Sequence, residues 1–173
     1  LGLEKAGFSP LIVSELHDDA LDTYKANRID EFPHLDEEGF FYNNVKDLVE
    51  KFEDPKQFSA FNKKLKKEGF DVKLGKGGNL DLLVGGPPCQ GFSGIGHRRS
   101  YSVNKEDIRS NHLYQDMLIL IKKCQPKIFL FENVRGLMSS RWTSKGTKGE
   151  IWADIRREYS KALENYDIGW HLI

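Results

Sequence analysis

The feature that most limits the fold is a pair of short, continuous apolar runs, Leu80–Gly86 (LDLLVGG) and Lys127–Phe131 (KIFLF), separated by a helical stretch. Within that stretch, Asn111–Lys123, the residues Leu113, Met117, Leu120 and Ile121, with Cys124 just beyond, recur at the spacing of one apolar helix face. Short apolar runs without polar alternation fit strands buried on both faces, as in parallel sheets. Two such strands joined through a helix make a parallel crossover unit, and strands consecutive in sequence are commonly neighbours. The chain that follows the first run is therefore expected beside the chain that follows the second.

The rest of the sequence alternates in the same way. Leu1–Gly7 has the character of closing helical turns that stop at a glycine. Pro10–Leu16 (PLIVSEL) suits a buried strand, Asp18–Arg28 a helix opened by two aspartates, and Phe40–Val45 a strand. Asp54–Glu68 starts with Asp-Pro and sets Phe58, Phe61 and Leu65 on one helix face, with Lys63, Lys64, Lys66 and Lys67 on the wet side. Glu150–Glu164 is expected to be helical with Trp152, Ile155, Tyr159 and Leu163 inward, and Ile168–Ile173 to begin a strand. Strands alternating with helices indicate an α/β fold built on a mostly parallel sheet. Residues 91–110, rich in Gly, Ser, Arg and Asn, show no periodicity; a long structureless stretch inside a compact domain is usually functional or disordered. Both ends fall inside expected elements, so the chain is expected to be a piece of a larger domain.

At 173 residues, 39% of them hydrophobic and 30% charged, the chain has the length and composition of one ordinary soluble domain. No apolar run approaches the roughly 20 residues of a membrane span. Two cysteines, Cys89 and Cys124, cannot make a disulfide framework, and a reducing cytoplasmic setting is the default. The net charge of zero hides an asymmetry: residues 1–40 carry three basic and ten acidic side chains, whereas residues 82–148 carry eleven and four. A local basic region of this kind can attract a polyanion even in a neutral protein.

Open parallel sheets bind ligands outside the carboxyl ends of their strands. Three groups of unusual residues fall there: Glu15, the stretch Pro87-Pro88-Cys89-Gln90-Gly91-Phe92-Ser93, and Glu132-Asn133-Val134. An isolated cysteine is most often a small buried hydrophobe, the reading that suits Cys124. Cys89 differs: two prolines fix the backbone before it and a Gly-rich segment follows, which suits a presented nucleophile. Glu132 is either a surface carboxylate or, given the apolar run before it, a partly buried one able to hold or donate a proton. Glu15 is either a strand-end charge or an acceptor for a ribose hydroxyl. His97, Arg98, Arg99, Lys105 and Arg109, with Arg135, Arg141, Lys145 and Lys148, are solvated loop residues or phosphate contacts. The five histidines show no paired spacing for a metal.

Gly86-Pro87-Pro88-Cys89-Gln90-Gly91-Phe92-Ser93 followed by Phe131-Glu132-Asn133-Val134 resembles the DNA cytosine-5 methyltransferases. Leu1–Arg28 is similar to the segment just after that family's Gly-rich cofactor loop, and the likeness runs along most of the chain apart from residues 49–78. The resemblance implies a doubly wound, mostly parallel sheet of the Rossmann-like type that binds S-adenosyl-L-methionine. Residues 1–173 would be its partial catalytic and cofactor-binding domain, incomplete at both ends, with the target recognition domain outside this chain. By the same resemblance Cys89 is the nucleophile and Glu132 the acid on the cytosine ring. Glu15, Leu16, Asn44, Val45, Pro88 and Leu113 match cofactor-binding positions. Asn44 replaces the family's usual acidic residue, keeping an acceptor and adding a donor. Gln90, Ser93, Arg98, Arg99 and Arg109 fall to nucleic-acid contact, within a loop that closes over the DNA.

The implied reaction transfers a methyl group to carbon 5 of cytosine in double-stranded DNA, on a flipped-out base. A bacterial-type modification enzyme, cytoplasmic and nucleoid-associated, is the expected setting; a cognate restriction endonuclease is a partner that the sequence itself does not specify. The alternatives are the same chemistry on a tRNA cytosine and a truncated, non-catalytic nucleic-acid-binding fragment. The isolated chain is expected to be inactive. A cysteine hydrolase lacks a histidine placed to serve as its base.

Overall fold

The computed structural model describes residues 2–87 and 112–172. The chain divides into two compact units, Leu1–Glu68 and Gly69–Ile173. Each combines helices with a small two-stranded parallel sheet, so the expected α/β class and parallel pairing hold.

The first unit opens with α1 (Gly2–Lys5), which ends where Gly7 takes φ +90°, a conformation costly for any residue with a Cβ. β1 (Val13–Ser14) pairs in parallel with β2 (Phe41–Tyr42), register Val13 to Phe41, with α2 (Asp18–Arg28) and a 3-10 turn at Pro33–Asp36 between them. The strands are shorter than the apolar runs suggest, and a helix, α3 (Val45–Glu53), begins where a strand was expected to end. Asn44 is the reason: its Oδ1 accepts from the Lys46 backbone N–H at 3.0 Å, a helix cap that turns the chain out of extended geometry. Leu48, Val49 and Phe52 then fall on one buried face. Asp54 ends α3 and caps α4 (Pro55–Lys67), accepting from the Lys56 and Gln57 amides. Those bonds, led by one from the Gln57 side chain, hold its carboxyl below the usual carboxylate range. Phe40, Phe52 and Phe61 form the core, with ring centroids 5.4 and 5.6 Å apart for the two pairs that Phe61 makes. Lys64 is not simply on the wet side: its ammonium lies 4.6 Å from the Phe40 ring centroid and donates to the Glu38 carbonyl.

In the second unit β3 (Leu82–Gly85) and β4 (Ile128–Phe131) are parallel neighbours joined through α5 (Leu113–Cys124), the crossover that the sequence predicts. The register runs from Leu82–Ile128 to Gly85–Phe131. A Cβ on Gly85 would stand 2.7 Å from the Met117 sulfur, so glycine lets α5 lie close on the strand. After a 3-10 turn at Arg135–Ser139, α6 (Glu150–Ala162) packs beside α5. Tyr114, Met117, Ile121, Leu137, Ile151, Ile155, Tyr159 and Leu163 form one core, with Leu83, Phe129 and Phe131 packed against it. Ile151, not Trp152, is the fully buried residue in the first turn of α6; Trp152 is half-buried beside Trp170. The opposite face of the sheet, Val84, Ile128 and Leu130, is exposed. Residues 168–172 are not in a strand, because among the described residues no strand pairs with them.

Candidate active site

β3 and β4 end at one edge. The Glu132 N–H donates to the Gly85 carbonyl at 2.9 Å, the last bond of the ladder. Glu132 and Gly86 then stand side by side, and a Cβ built on Gly86 would lie 3.2 Å from Glu132 Oε2. Glu132 is exposed rather than partly buried. Side chains alternate along a strand, and since Phe131 points into the core, Glu132 takes the outer face with Ile128 and Leu130.

Asn133 ties the two strand exits together. Its Nδ2 donates to the Pro87 carbonyl at 3.0 Å, and its Oδ1 accepts from the Val134 N–H at 2.9 Å. The sequence motif contains Asn133, but no chemical role followed from residue type alone; the signal was its position directly opposite a proline that ends a strand. Gly86, Pro87, Glu132 and Asn133 are thus brought to one strand edge. Cys89 lies outside the described residues, as do Pro88, Gln90, Ser93, Arg98, Arg99 and Arg109. Leu113 opens α5, half-buried.

The loop after β4 is built on the first turn of α6. Glu150 accepts from the Trp142 N–H through Oε1 at 2.6 Å and from the Thr147 N–H through Oε2 at 2.7 Å. The Trp142 indole donates to Asp154 at 2.8 Å, and its ring stacks on His112 with centroids 5.3 Å apart and planes 5° from parallel. The exposed side chains of Arg135, Arg141, Lys145 and Lys148 project from this scaffold and have no ion-pair partner among the described residues. A hollow of about 380 Å³, lined in part by Ile121, Gln125, Pro126, Lys127, Leu163 and Tyr166, opens at the other end of β4. Cys124, on the apolar face of α5, is buried, and burial pushes its thiol up to about 12.

In the first unit, Glu15 and Asn44 follow the carboxyl ends of β1 and β2, and the Glu15 N–H donates to the Tyr42 carbonyl at 3.0 Å. Glu15 is half-buried; its Oε1 accepts from the His17 N–H at 2.9 Å, and Oε2 has no partner among the described residues. Leu16 beside it is 64% exposed, and Val45 is half-buried. Asn43 donates to Asp18 at 3.0 Å, linking the two strand-end loops. Glu15, Leu16, Asn44 and Val45 therefore share one edge of this small sheet.

Residues 74–172 match the family described as C-5 cytosine-specific DNA methylase. Type II methyltransferase M.AgeI of Thalassovita gelatinovora is 35% identical over 138 residues, which cover 80% of this chain and 25% of that protein. Type II methyltransferase M1.HphI of Haemophilus parahaemolyticus is 29% identical over 158 residues, 91% of this chain and 34% of that protein. Orphan methyltransferase M.SPRI of Bacillus phage SPR is 51% identical over 85 residues, 49% of this chain and 18% of that protein. The chain spans about a third or less of each of these relatives. The family match takes in more than half of the sequence, including both strand exits that meet at Glu132 and Asn133, and the chain belongs to the C-5 cytosine-specific DNA methylase family.

Proposed function

We propose that this chain carries the nucleophile and part of the cofactor site of an enzyme that methylates carbon 5 of cytosine in double-stranded DNA. The fold that completes it is the doubly wound sheet of methyltransferases dependent on S-adenosyl-L-methionine, and the setting is bacterial-type DNA modification. One observation carries the reading: the strand exit that leads to Cys89 and the one that bears Glu132 are adjacent, with Glu132 Oε2 lying over Gly86.

The residues of the first unit fit the adenosine part of S-adenosyl-L-methionine. A half-buried carboxylate with one oxygen free of partners among the described residues suits a ribose diol, and exposed Leu16 offers an apolar surface. Asn44 Oδ1 already accepts from Lys46, so its Nδ2 is the group left to meet an adenine ring nitrogen, beside Val45. The assignment of Leu113 and Pro88 to cofactor binding rests on the resemblance of the sequence alone. When bound, the cofactor supplies the electrophilic methyl group that carbon 5 takes.

The rest of the chemistry falls to the chain's own side chains. The Cys89 thiolate adds to carbon 6, and the electron pair of the 5,6 double bond moves into the ring, making carbon 5 nucleophilic. A proton held by Glu132 at ring nitrogen 3 stabilises the charge that this addition builds. After methylation, loss of the carbon-5 proton restores the double bond and expels the thiolate. A stacked base is out of reach of both groups, so the cytosine is flipped out at a cost of a few kcal/mol. Gln90, Ser93, Arg98, Arg99 and Arg109 are assigned to holding the DNA. Arg135, Arg141, Lys145 and Lys148 add exposed positive charge beside the same strand edge.

The test is covalent trapping on DNA that carries 5-fluorocytosine, in which the carbon-5 substituent cannot leave as a proton. In the full-length protein Cys89→Ala abolishes the trapped adduct; undiminished trapping removes Cys89 from the mechanism. Glu132→Gln lowers methyl transfer far more than cofactor binding, and equal loss of both would make Glu132 structural.

A further inference from the structure

We propose that Asn133 is a positioning residue for this reaction: its side-chain amide replaces one rung of the β3–β4 ladder and so sets where the chain leading to Cys89 leaves the sheet. The proposal rests on the reading of Cys89 and Glu132 given above.

The argument starts from register. Gly85 pairs with Phe131, and the Glu132 N–H reaches the Gly85 carbonyl. Parallel ladders repeat every two residues, so the next residue to make a pair of bonds is Pro87, opposite Asn133. In an uninterrupted sheet the Pro87 carbonyl would accept from the Val134 N–H, and the Pro87 N–H would donate to Glu132. Proline has no N–H, so the second bond cannot form, and a proline at this point ends the pairing. The first bond is also absent as a direct contact. Its donor and acceptor are instead both satisfied by Asn133: Val134 N–H to Oδ1 at 2.9 Å, and Nδ2–H to the Pro87 carbonyl at 3.0 Å.

The amide is thus spliced between two backbone groups that would otherwise meet. Its orientation is fixed by chemistry, because a carbonyl only accepts and a peptide N–H only donates. An inserted amide holds the two strand exits farther apart than a direct rung would, while still tying them to each other. The neighbouring residue, Pro88, also lacks an N–H. The carbonyl of Pro87 is therefore a principal handle by which this exit can be held, and Asn133 holds it. A separation fixed in this way sets the gap in which a pyrimidine must touch both Glu132, next to Asn133, and Cys89, two residues beyond Pro87.

Asn133→Asp isolates the bond. The carboxylate still accepts from Val134 but cannot donate to Pro87. In the full-length protein we expect the rate of adduct formation on 5-fluorocytosine DNA to fall roughly 10- to 100-fold, the scale of an ångström-sized misplacement. Affinity for DNA and for S-adenosyl-L-methionine, and the melting temperature, stay at the wild-type values. Asn133→Ala, which lacks the donor without adding charge, shows the same split and serves if the aspartate variant does not fold. Wild-type adduct rates in a folded variant overturn the proposal. So do parallel losses of rate, affinity and stability, or failure of both variants to fold, since these describe a scaffold bond. Failure of the wild-type protein to trap the DNA would instead overturn the reading of Cys89.

Discussion

The Glu132 carboxylate lies against the α-carbon of Gly86, with Oε2 3.2 Å from where a Cβ would stand. These residues continue the outer-face row begun by Val84 and Leu130, register partners in β3 and β4. A side chain at position 86 would contend with the acid for the same space. Because Glu132 is exposed and flexible, it can swing aside at little cost. Gly86→Ala should therefore leave unfolding free energy within about 0.5 kcal/mol of wild type. The displaced carboxylate should lower methyl transfer by the full-length protein. Thermal melting and transfer rates measured on one preparation check both halves; a variant of unchanged activity would show that the close approach is incidental.

Glu150 is the peg on which the basic loop hangs. Both carboxylate oxygens are engaged, by Trp142 N–H at 2.6 Å and Thr147 N–H at 2.7 Å. Bonds to a charged acceptor contribute about 1.5–3 kcal/mol each, with part shared when one group serves both. Glu150→Ala should cost about 2 kcal/mol of stability and speed hydrogen exchange at both amides. Gly146→Ala should resemble it, since a Cβ there would collide with Glu150 Oε1 and force the carboxylate off its partners. Retained protection of the Trp142 amide in either variant would contradict this account.

The crossover unit was legible because a continuous apolar run, a helix of clear period and a second apolar run admit few arrangements. The adjacency of residues 86–87 and 132–133 follows from that topology. Two other features were less visible. The start of helix α3 is hidden because the aromatic run Phe40-Phe41-Tyr42 reads as a strand continuing to Val45, and Asn44 stops it by a cap that spacing does not reveal. The sequence leaves Glu132 open between a surface and a partly buried carboxylate, because an apolar run before a residue does not tell which face it takes; the parity of Phe131 does, and it selects the surface reading. The role of Asn133 depends on register, which no single strand's sequence contains.

Gln125 is, among the described residues, the one non-glycine with positive φ, at +50°, where α5 ends. Its N–H donates to the Ile121 carbonyl at 2.9 Å, a bond that glycine would keep. A left-handed conformation costs a residue with a Cβ on the order of 1 kcal/mol, and glycine is the usual occupant of this position. The side chain is exposed, so its removal costs little packing. Gln125→Gly should raise stability by about 0.5–1 kcal/mol in urea unfolding; a loss would mean that the extra backbone freedom of the unfolded chain outweighs the relief.

Alkaline pH should weaken the second unit through groups that burial keeps neutral. Burial pushes the Cys124 thiol from an ordinary 9.0 up to about 12. Burial, then the charge of Glu158 and a hydrogen bond to it, pushes the Tyr114 phenol from 10.0 up to about 12. Tyr159, whose hydroxyl donates to the Tyr114 carbonyl at 2.8 Å, is raised by burial as well. Above pH 9 the unfolded chain releases these protons while the folded one keeps them. Unfolding then binds fewer protons in the product, and stability falls as pH rises. The loss begins near pH 9 with the thiol, steepens near 10 with the phenols, and continues until the folded protein ionises at about 12. Each group fully titrated in the unfolded state alone adds a slope of about 1.4 kcal/mol per pH unit. Cys124→Val keeps an apolar side chain of similar size and should move the onset from about pH 9 to about 10. Urea unfolding at half-unit steps from pH 8 to 11 separates the two. Coincident curves for variant and wild type would show that the thiol reaches solvent in the folded protein.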